Sequence, residues 1–494
     1  MRERIKVGLC KEFTDGISLP GLYNDFEHGF HEMVDLNKAF ALMLCKQGIV
    51  AEADVKKILE GLDYAEESLT RESLDPQMED LYFNVEAKMI EKAGRGSGGR
   101  LHTGRSRNDV YATQSRMEIR NSIVPVLEQL IEFQELVLEK AAQNVEVVIT
   151  GYTHFQAGQP ITYGHWLTAV SSAFLRDFKR LKAAFETVNQ SPYGTAAAFG
   201  TTFPLDRDLI SDYLGFDGII ENSLDAVGSR EYIAEVNAAY AIMMTNVSRF
   251  AEDMYIWASF EFGTIKIGGE IAICSSIMPQ KMNPCSLEYA KGKTGHSIGV
   301  LMSSLGALKD APYTNNGESH ESLGMYWEGL RHTKVGVDML KQTIKYTTIN
   351  EKRAYENTAM NYSTVTGLAD FMVQKFGISF KNAHDIVGDC LAILDEKGLN
   401  IKQLDVELVK SCCTKYLPEA LPITAEQIDA VLDPAKNVAS KVSVGGPQKA
   451  SVLAMIEHLK AQVAADKAWL AAKKDQLARA KAKLLADEKA LLAK

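Results

Sequence analysis

Between residues 231 and 257, apolar side chains recur at alternating spacings of three and four: Ile233, Val236, Tyr240, Met243, Val247, Phe250, Met254 and Trp257. That period is the seam of a helix packed lengthwise in a bundle. At 1.5 Å per residue the seam spans roughly 36 Å. A stripe of methionine and aromatic residues at this spacing is read as core rather than as a cofactor pocket. Further long helical segments are predicted at about 115–145, 160–188 and 286–308, with Pro125 expected to kink the first. Residues 31–93 carry shorter patterns, in which Leu36, Phe40, Met43 and Leu44 form one apolar face and Val55, Ile58 and Leu59 another. Gly94-Arg95-Gly96-Ser97-Gly98-Gly99 is expected to be a flexible loop. Strand signals are sparse, and Val145–Thr150 reads as short and isolated.

Beyond about residue 364 the helices shorten, with Pro418, Pro422 and Pro434 marking turns. The last segment, about 449–494, is rich in Ala, Lys and Leu, with Val463, Leu470, Leu477, Leu484 and Leu491 spaced by seven. Its alternate positions are mostly Ala or charged, so a long, partly exposed helix is expected rather than a strong zipper. These patterns predict a mainly α fold whose helices change character along the chain: short over 1–111, long and bundle-forming over 112–363, and short again over 364–494 apart from the long terminal helix. The long apolar faces leave room for packing between copies.

Composition narrows the partners. The 494 residues are 46% hydrophobic and 24% charged, with a net charge of −10, so no nucleic-acid footprint is expected. An anionic substrate would have to meet a local cluster of cations. The seven cysteines are scattered with no Cys-x-x-Cys pair, and only His28 and His31 lie close together among ten histidines. Neither a disulfide framework nor a metal cage is suggested. The N-terminus returns to charge too soon for a signal peptide, and no apolar run approaches membrane-spanning length. The expected location is cytoplasmic, with no membrane partner.

Candidate chemistry concentrates in a few segments. Cys274-Ser275-Ser276-Ile277-Met278-Pro279-Gln280-Lys281-Met282-Asn283-Pro284 places hydroxyls, an ammonium and an amide among small residues and prolines. Such a loop can close on an anion, with a serine moving a proton while lysine and asparagine hold negative charge. The plain alternative is a turn with an exposed lysine. His102-Thr103-Gly104-Arg105-Ser106-Arg107-Asn108-Asp109 offers guanidinium forks to a carboxylate, or a turn whose arginines pair internally. Thr153-His154 precedes a helix and could supply a general acid or base, although a lone histidine is more often structural. His102 and His165 are read as structural. Gly194–Thr202 permits close backbone approach, with packing the safer reading. Ser229 could cap the seam helix, with Glu231 at its positive end and Arg230 available to face a ligand, although a surface ion pair is the plainer role for it.

Taken together, His102–Asp109, Gly151–Gln156, Gly200–Arg207, Asn222–Glu231 and Ser275–Pro284 resemble the fumarase/aspartase superfamily, and within it the argininosuccinate lyase family. The resemblance covers roughly residues 30–460. It implies three helical domains, an N-terminal one over 1–111, a central helix bundle over 112–363 and a C-terminal one over 364–494, in a homotetramer whose central helices form a roughly 20-helix core, with active sites shared among three subunits and no cofactor or metal. It implies a C–N lyase of arginine biosynthesis that eliminates fumarate from an N-substituted aspartate, so the partner is a small dicarboxylate or amino-acid substrate. Ser275, rather than Ser276, is implied as the base, and His154 as a second catalytic residue paired with Glu288. Lys281 and Asn283 are implied to stabilise the aci-carboxylate intermediate. Ser106, Arg107, Asn108, Thr153, Arg230, Gln280 and Tyr313 are implied in substrate binding.

The departures bear on the amine half. Cys274 stands where the family has glycine before the two serines, and Lys281-Met282 replaces a Lys-Lys pair. Leu36-Asn37 and Ala39-Phe40 replace Gly-Ser and Ala-His, and Tyr82 replaces a histidine, although Asp80 is kept. Tyr313–Glu321 keeps the tyrosine but lacks the family's Gln and Lys, with Glu318 and Glu321 present instead. Argininosuccinate is the first substrate expected, another N-succinyl amine or amino acid the alternative. A non-catalytic scaffold is a third reading.

Overall fold

The computed structural model describes residues 7–494; the opening segment, read above as lacking a signal peptide, lies partly outside the described residues. Helices dominate the chain and follow the apolar periods. Leu19–Lys46 (α1), Glu52–Ser68 (α2) and Leu81–Ala93 (α3) build the N-terminal core. The patterns at 31–44 thus belong to one 28-residue helix rather than to a short one. Asp80 caps α3 by accepting the Phe83 N–H at 3.0 Å, and Gly94, at φ 77°, ends it.

The glycine run is not a loop. Arg95–Gly98 and Gly99–His102 are helical turns. A Cβ on Gly98 would come within 2.9 Å of Ile90 Cγ1, so glycine serves close packing there. Ser97 Oγ also donates to Asp54 Oδ1 at 2.7 Å and ties the turn to α2.

The central core rests on Arg107–Gln143 (α4), Tyr163–Val188 (α5), Glu231–Trp257 (α6), Cys285–Leu308 (α7) and Tyr326–Tyr346 (α8). All eight seam residues of α6 are buried, and α6 packs against α5, α7 and α8. Burial of such side chains stabilises by about 1.5–3 kcal/mol each. α4 remains helical through Pro125, so the proline does not end it. The isolated strand expected at 145–150 has a partner: Val148–Thr153 (β1) pairs antiparallel with Gln156–Thr162 (β2). A third core gathers Leu368, Met372, Ile386, Cys390, Val409 and Ile428 from the shorter C-terminal helices.

Lys449–Leu492 (α9) runs 44 residues, about 66 Å, across the first two cores. Val463, Leu470, Leu484 and Leu491 are buried on the chain's own body. Gly215, at φ 72°, lets Leu477 and Ala480 approach to 3.1 Å of where its Cβ would stand. At the far end Glu488 lies 3.1 Å from the buried Lys38, whose ammonium also bonds Asp63. Six lysines along α9 reach carboxylates of the body, including Lys467 to Glu135 at 2.7 Å and Lys473 to Asp217 at 2.6 Å.

Candidate active site

The Ser275 segment is a small hairpin. Ile273–Cys274 (β3) pairs antiparallel with Met282–Asn283 (β4), in register Ile273 with Asn283 and Cys274 with Met282. Cys274 therefore occupies a strand, and its φ is not positive, so its backbone does not require glycine. Ser275 Oγ accepts the N–H groups of Ile277 at 3.3 Å and Met278 at 3.0 Å. Two amide dipoles thus point at one hydroxyl oxygen, an arrangement that favours negative charge on it. Gln280 and Lys281 are exposed, Ser275 and Asn283 half-buried. Ile277 is 83% exposed, an apolar side chain with nothing over it in the single chain. β4 leads into α7, where exposed Glu288 accepts the Tyr255 hydroxyl at 3.2 Å through Oε1.

Thr153 and His154 sit at the tip of the β1–β2 hairpin, where Thr153 pairs with Gln156. His154 and Phe155 both take left-handed backbone, φ 53° and 56°. A two-residue turn with both residues left-handed ordinarily favours Asn-Gly. Holding histidine and phenylalanine there costs about 1–3 kcal/mol each, strain of the kind kept at functional sites. His154 is exposed and makes no hydrogen bond among the described residues. It does not meet Glu288 within one chain.

The start of α4 is built differently. Ser106 caps the helix and accepts the Asn108 N–H at 3.3 Å, while Asp109 Oδ1 accepts the Ser106 N–H at 3.0 Å. Asp109 Oδ2 accepts the N–H groups of Gly194 at 3.1 Å and Ala196 at 3.0 Å. The small-residue stretch thus serves a buried carboxylate. Burial pushes the Asp109 carboxyl up to about 7, against the pull of these amides and of Arg105. Arg105 is buried and donates to the Tyr193 hydroxyl at 2.9 Å. Arg107 is engaged by Glu79 at 3.0 Å and Asp80 at 2.7 Å, with its guanidinium over the Phe83 ring. The internal pairing weighed above holds for both arginines.

Asn108 and Arg230 join through residues the sequence did not single out. Asn108 Oδ1 accepts from Asn315 Nδ2 at 3.1 Å, and Asn315 Oδ1 lies 2.7 Å from His320 Nε2. Arg230 Nη1 donates to Ser115 Oγ at 2.8 Å, and Nη2 lies 3.4 Å from His320 Nε2. Crowding by protein, then the Arg230 charge, holds His320 down to about 4, so its ring is neutral near pH 7. Arg230 is only 4% exposed, rather than free to face solvent. Ser229 does not cap α6: Arg230 holds that position, and Ser229 Oγ accepts from Arg116 at 3.0 Å. Tyr313 is exposed beside this network, as are Glu318 and Glu321. The clue to Asn315 and His320 was the polar run itself, but their partners are about 90 or more residues away in the chain.

His102 and His165, read above as structural, each have a polar partner within the chain. His102 Nδ1 lies 2.6 Å from the Tyr82 hydroxyl, and burial followed by Arg105 and Arg107 holds the ring down to about 4. His165 Nε2 lies 3.0 Å from the Gly445 carbonyl. A cavity of about 600 Å³ behind the β1–β2 hairpin has Thr153 in its wall, but none of Ser106, Arg107, Asn108 or the Ser275–Glu288 segment. Of the three candidate segments, only the hairpin tip lines that cavity.

Comparison with known proteins bears on the whole chain. A family described as lyase matches residues 22–299, and the argininosuccinate lyase C-terminal family matches residues 362–439. Argininosuccinate lyase 1 of Shouchella clausii is 35% identical over 468 residues, covering 94% of this chain and 93% of that protein. Argininosuccinate lyase of Methanocaldococcus jannaschii is 38% identical over 83% of each. The crystal structure of EDDS lyase in complex with formate superposes with a TM-score of 0.88 at 29% identity, covering 100% of this chain and 99% of that one.

Proposed function

The chain belongs to the argininosuccinate lyase family of the fumarase/aspartase superfamily, and from that premise we propose that its Ser275 turn removes the proton in a fumarate-releasing C–N cleavage, with argininosuccinate the substrate and arginine the second product. The observation that carries the assignment is the pair of N–H groups donated to Ser275 Oγ. A serine hydroxyl is a poor base at neutral pH, and two fixed amide dipoles make its deprotonated form more accessible.

The steps follow the charges. Ser275 Oγ takes a proton from the carbon next to a succinyl carboxylate, whose two oxygens then carry the developing dianion. Lys281 and Asn283, at the foot of the same hairpin, stabilise that charge. The electron pair forms the C=C bond of fumarate, the C–N pair passes to nitrogen, and the amine leaves with a proton. His154, with Glu288 to set its charge, is the donor this reading assigns. Ser106, Asn108 and Thr153 hold the carboxylates. Arg107 and Arg230 act from behind, as fixed positive charges.

Sharing among copies accounts for the separation of these groups. Along α7 the side chains of Tyr289, Ile298, Met302 and Leu305 are exposed, and Gly292, Gly295 and Gly299 have open space where a Cβ would stand. An apolar helix face of this kind calls for a cover. A homotetramer with α7 at its centre would provide one and bring the hairpin tip of one copy to the Ser275 turn of another. No described helix is long and apolar enough to cross a membrane, and we place the enzyme in the cytoplasm.

A second reading keeps the fumarate chemistry and changes the amine. The likeness to EDDS lyase and the exposed Glu318 and Glu321 near Tyr313 favour an amine that differs from arginine and carries less carboxylate. Two assays separate the readings. The protein given argininosuccinate should release fumarate and arginine in equal amounts. If it does not, fumarate supplied with a panel of amines should yield an N-succinyl adduct with another amine. No adduct with any amine would leave a scaffold.

A further inference from the structure

The cavity behind the β1–β2 hairpin has chemistry that the proposed elimination does not use. Its wall combines the rings of Tyr152, Phe155, Trp166, Trp257 and Phe262 with the carboxylate of Asp253. Trp166 and Trp257 have ring centroids 4.7 Å apart, and those of Tyr152 and Phe262 are 5.8 Å apart. Asp253 Oδ2 accepts the Trp166 indole N–H at 2.9 Å, which fixes the carboxylate against the ring. Among the described residues Asp253 is the one charged group in the wall, and no lysine or arginine lines it. Burial holds its carboxyl above the usual range, against the pull of the Trp166 bond and of the Arg249 charge, which acts from outside the cavity wall.

This composition selects by charge. A dicarboxylate such as fumarate would find one like charge and no cation. Aromatic faces carry negative potential and attract an ammonium group, more so beside a carboxylate. The volume of about 600 Å³ falls in the range of small-molecule sites. We propose that this cavity binds a small ammonium cation between its aromatic rings and Asp253, on the side of the hairpin away from the Ser275 turn's own residues, none of which line it. Gly151 and Thr153 belong to its wall, so an occupant touches the strand that carries the hairpin tip.

Tetramethylammonium is a suitable probe, since it has no N–H and cannot add to fumarate. It is titrated into the whole protein against sodium chloride at equal ionic strength, read by tryptophan fluorescence and by calorimetry. The expected result is saturable binding, with tert-butanol, a neutral molecule of similar shape, at least about fivefold weaker. Asp253→Asn, which can still accept the Trp166 bond, should weaken tetramethylammonium by about fivefold. Absence of saturable binding, equal binding of tert-butanol, or unchanged binding by a folded Asp253→Asn protein would each overturn the proposal. The comparison of the two probes on the unmodified protein decides the matter even if the variant does not fold. Neither fumarate nor turnover enters the experiment, so its failure would leave the assignment of Ser275 standing.

Discussion

At the start of α4, the buried Asp109 collects N–H groups from Ser106, Gly194 and Ala196, and Arg105 and Arg107 are locked to Tyr193 and to Glu79 and Asp80. In the β3–β4 hairpin, Ser275 collects its two N–H groups from its own turn, a two-residue ladder closes the loop, and Ile277 stands in the open. Both regions are assigned to the same reaction. One is held by long-range bonds in the core and is suited to fix a carboxylate in place. The other is held only locally, which suits a segment that must admit substrate and then cover it. Substitutions at the two places should therefore fail in different ways.

The largest effect is expected at the hairpin. Ser275→Ala should lower fumarate release by about 10³-fold while the thermal unfolding midpoint stays within about 2 °C of the parent. Loss of both activity and stability would blur the contrast. Asp109→Ala should do the reverse, lowering the unfolding free energy in denaturant titrations by about 3 kcal/mol, because one buried and two part-buried N–H groups lose their acceptor.

A pH dependence sharpens the same contrast. Burial pushes Asp109 up to about 7, and burial followed by the charge of Asp80 does the same to Asp25 on α1. In the unfolded chain both would titrate near about 4. The folded protein thus holds protons that the unfolded chain has released. The stability this contributes is complete below about pH 4 and is lost as pH rises through about 7. Unfolding free energy measured across that range should fall, and Asp25→Asn should flatten the slope. A slope that Asp25→Asn leaves unchanged would exclude this carboxyl as a source. The smallest effect is expected at Cys274. Its strand backbone needs no glycine, so Cys274→Gly should leave kcat/KM within about threefold.

The elements that could be read in the sequence are those whose signal is local. The α6 seam is a period of apolar residues, and burial follows it residue by residue. The errors came where distant partners decide the local structure. Gly94–Gly99 looked like a flexible run because the packing of Gly98 on Ile90 and the bond from Ser97 to Asp54 are tertiary facts. Val145–Thr150 looked isolated because the strand that pairs with Val148–Thr153, Gln-Ala-Gly-Gln-Pro-Ile-Thr, lacks a strand-like composition. In the candidate site, motif order pointed to Ser275, Asn108 and Thr153. It could not reveal that Asn315 and His320 link Asn108 to Arg230, since those bonds cross from one end of the central core to another segment altogether. Nor does one chain bring His154 to Glu288, a pairing that the proposed sharing of sites between copies would complete.

That last separation supplies the most direct test of the account. Ser275→Ala and His154→Asn proteins, the second keeping a residue that tolerates left-handed backbone, are each expected to be inactive. Unfolded together, refolded as a mixture and checked for mixed assemblies by native mass spectrometry, they should regain fumarate release well above the sum of the two alone. Mixed assemblies with no more activity than that sum would contradict a site built from the Ser275 turn of one copy and the hairpin tip of another.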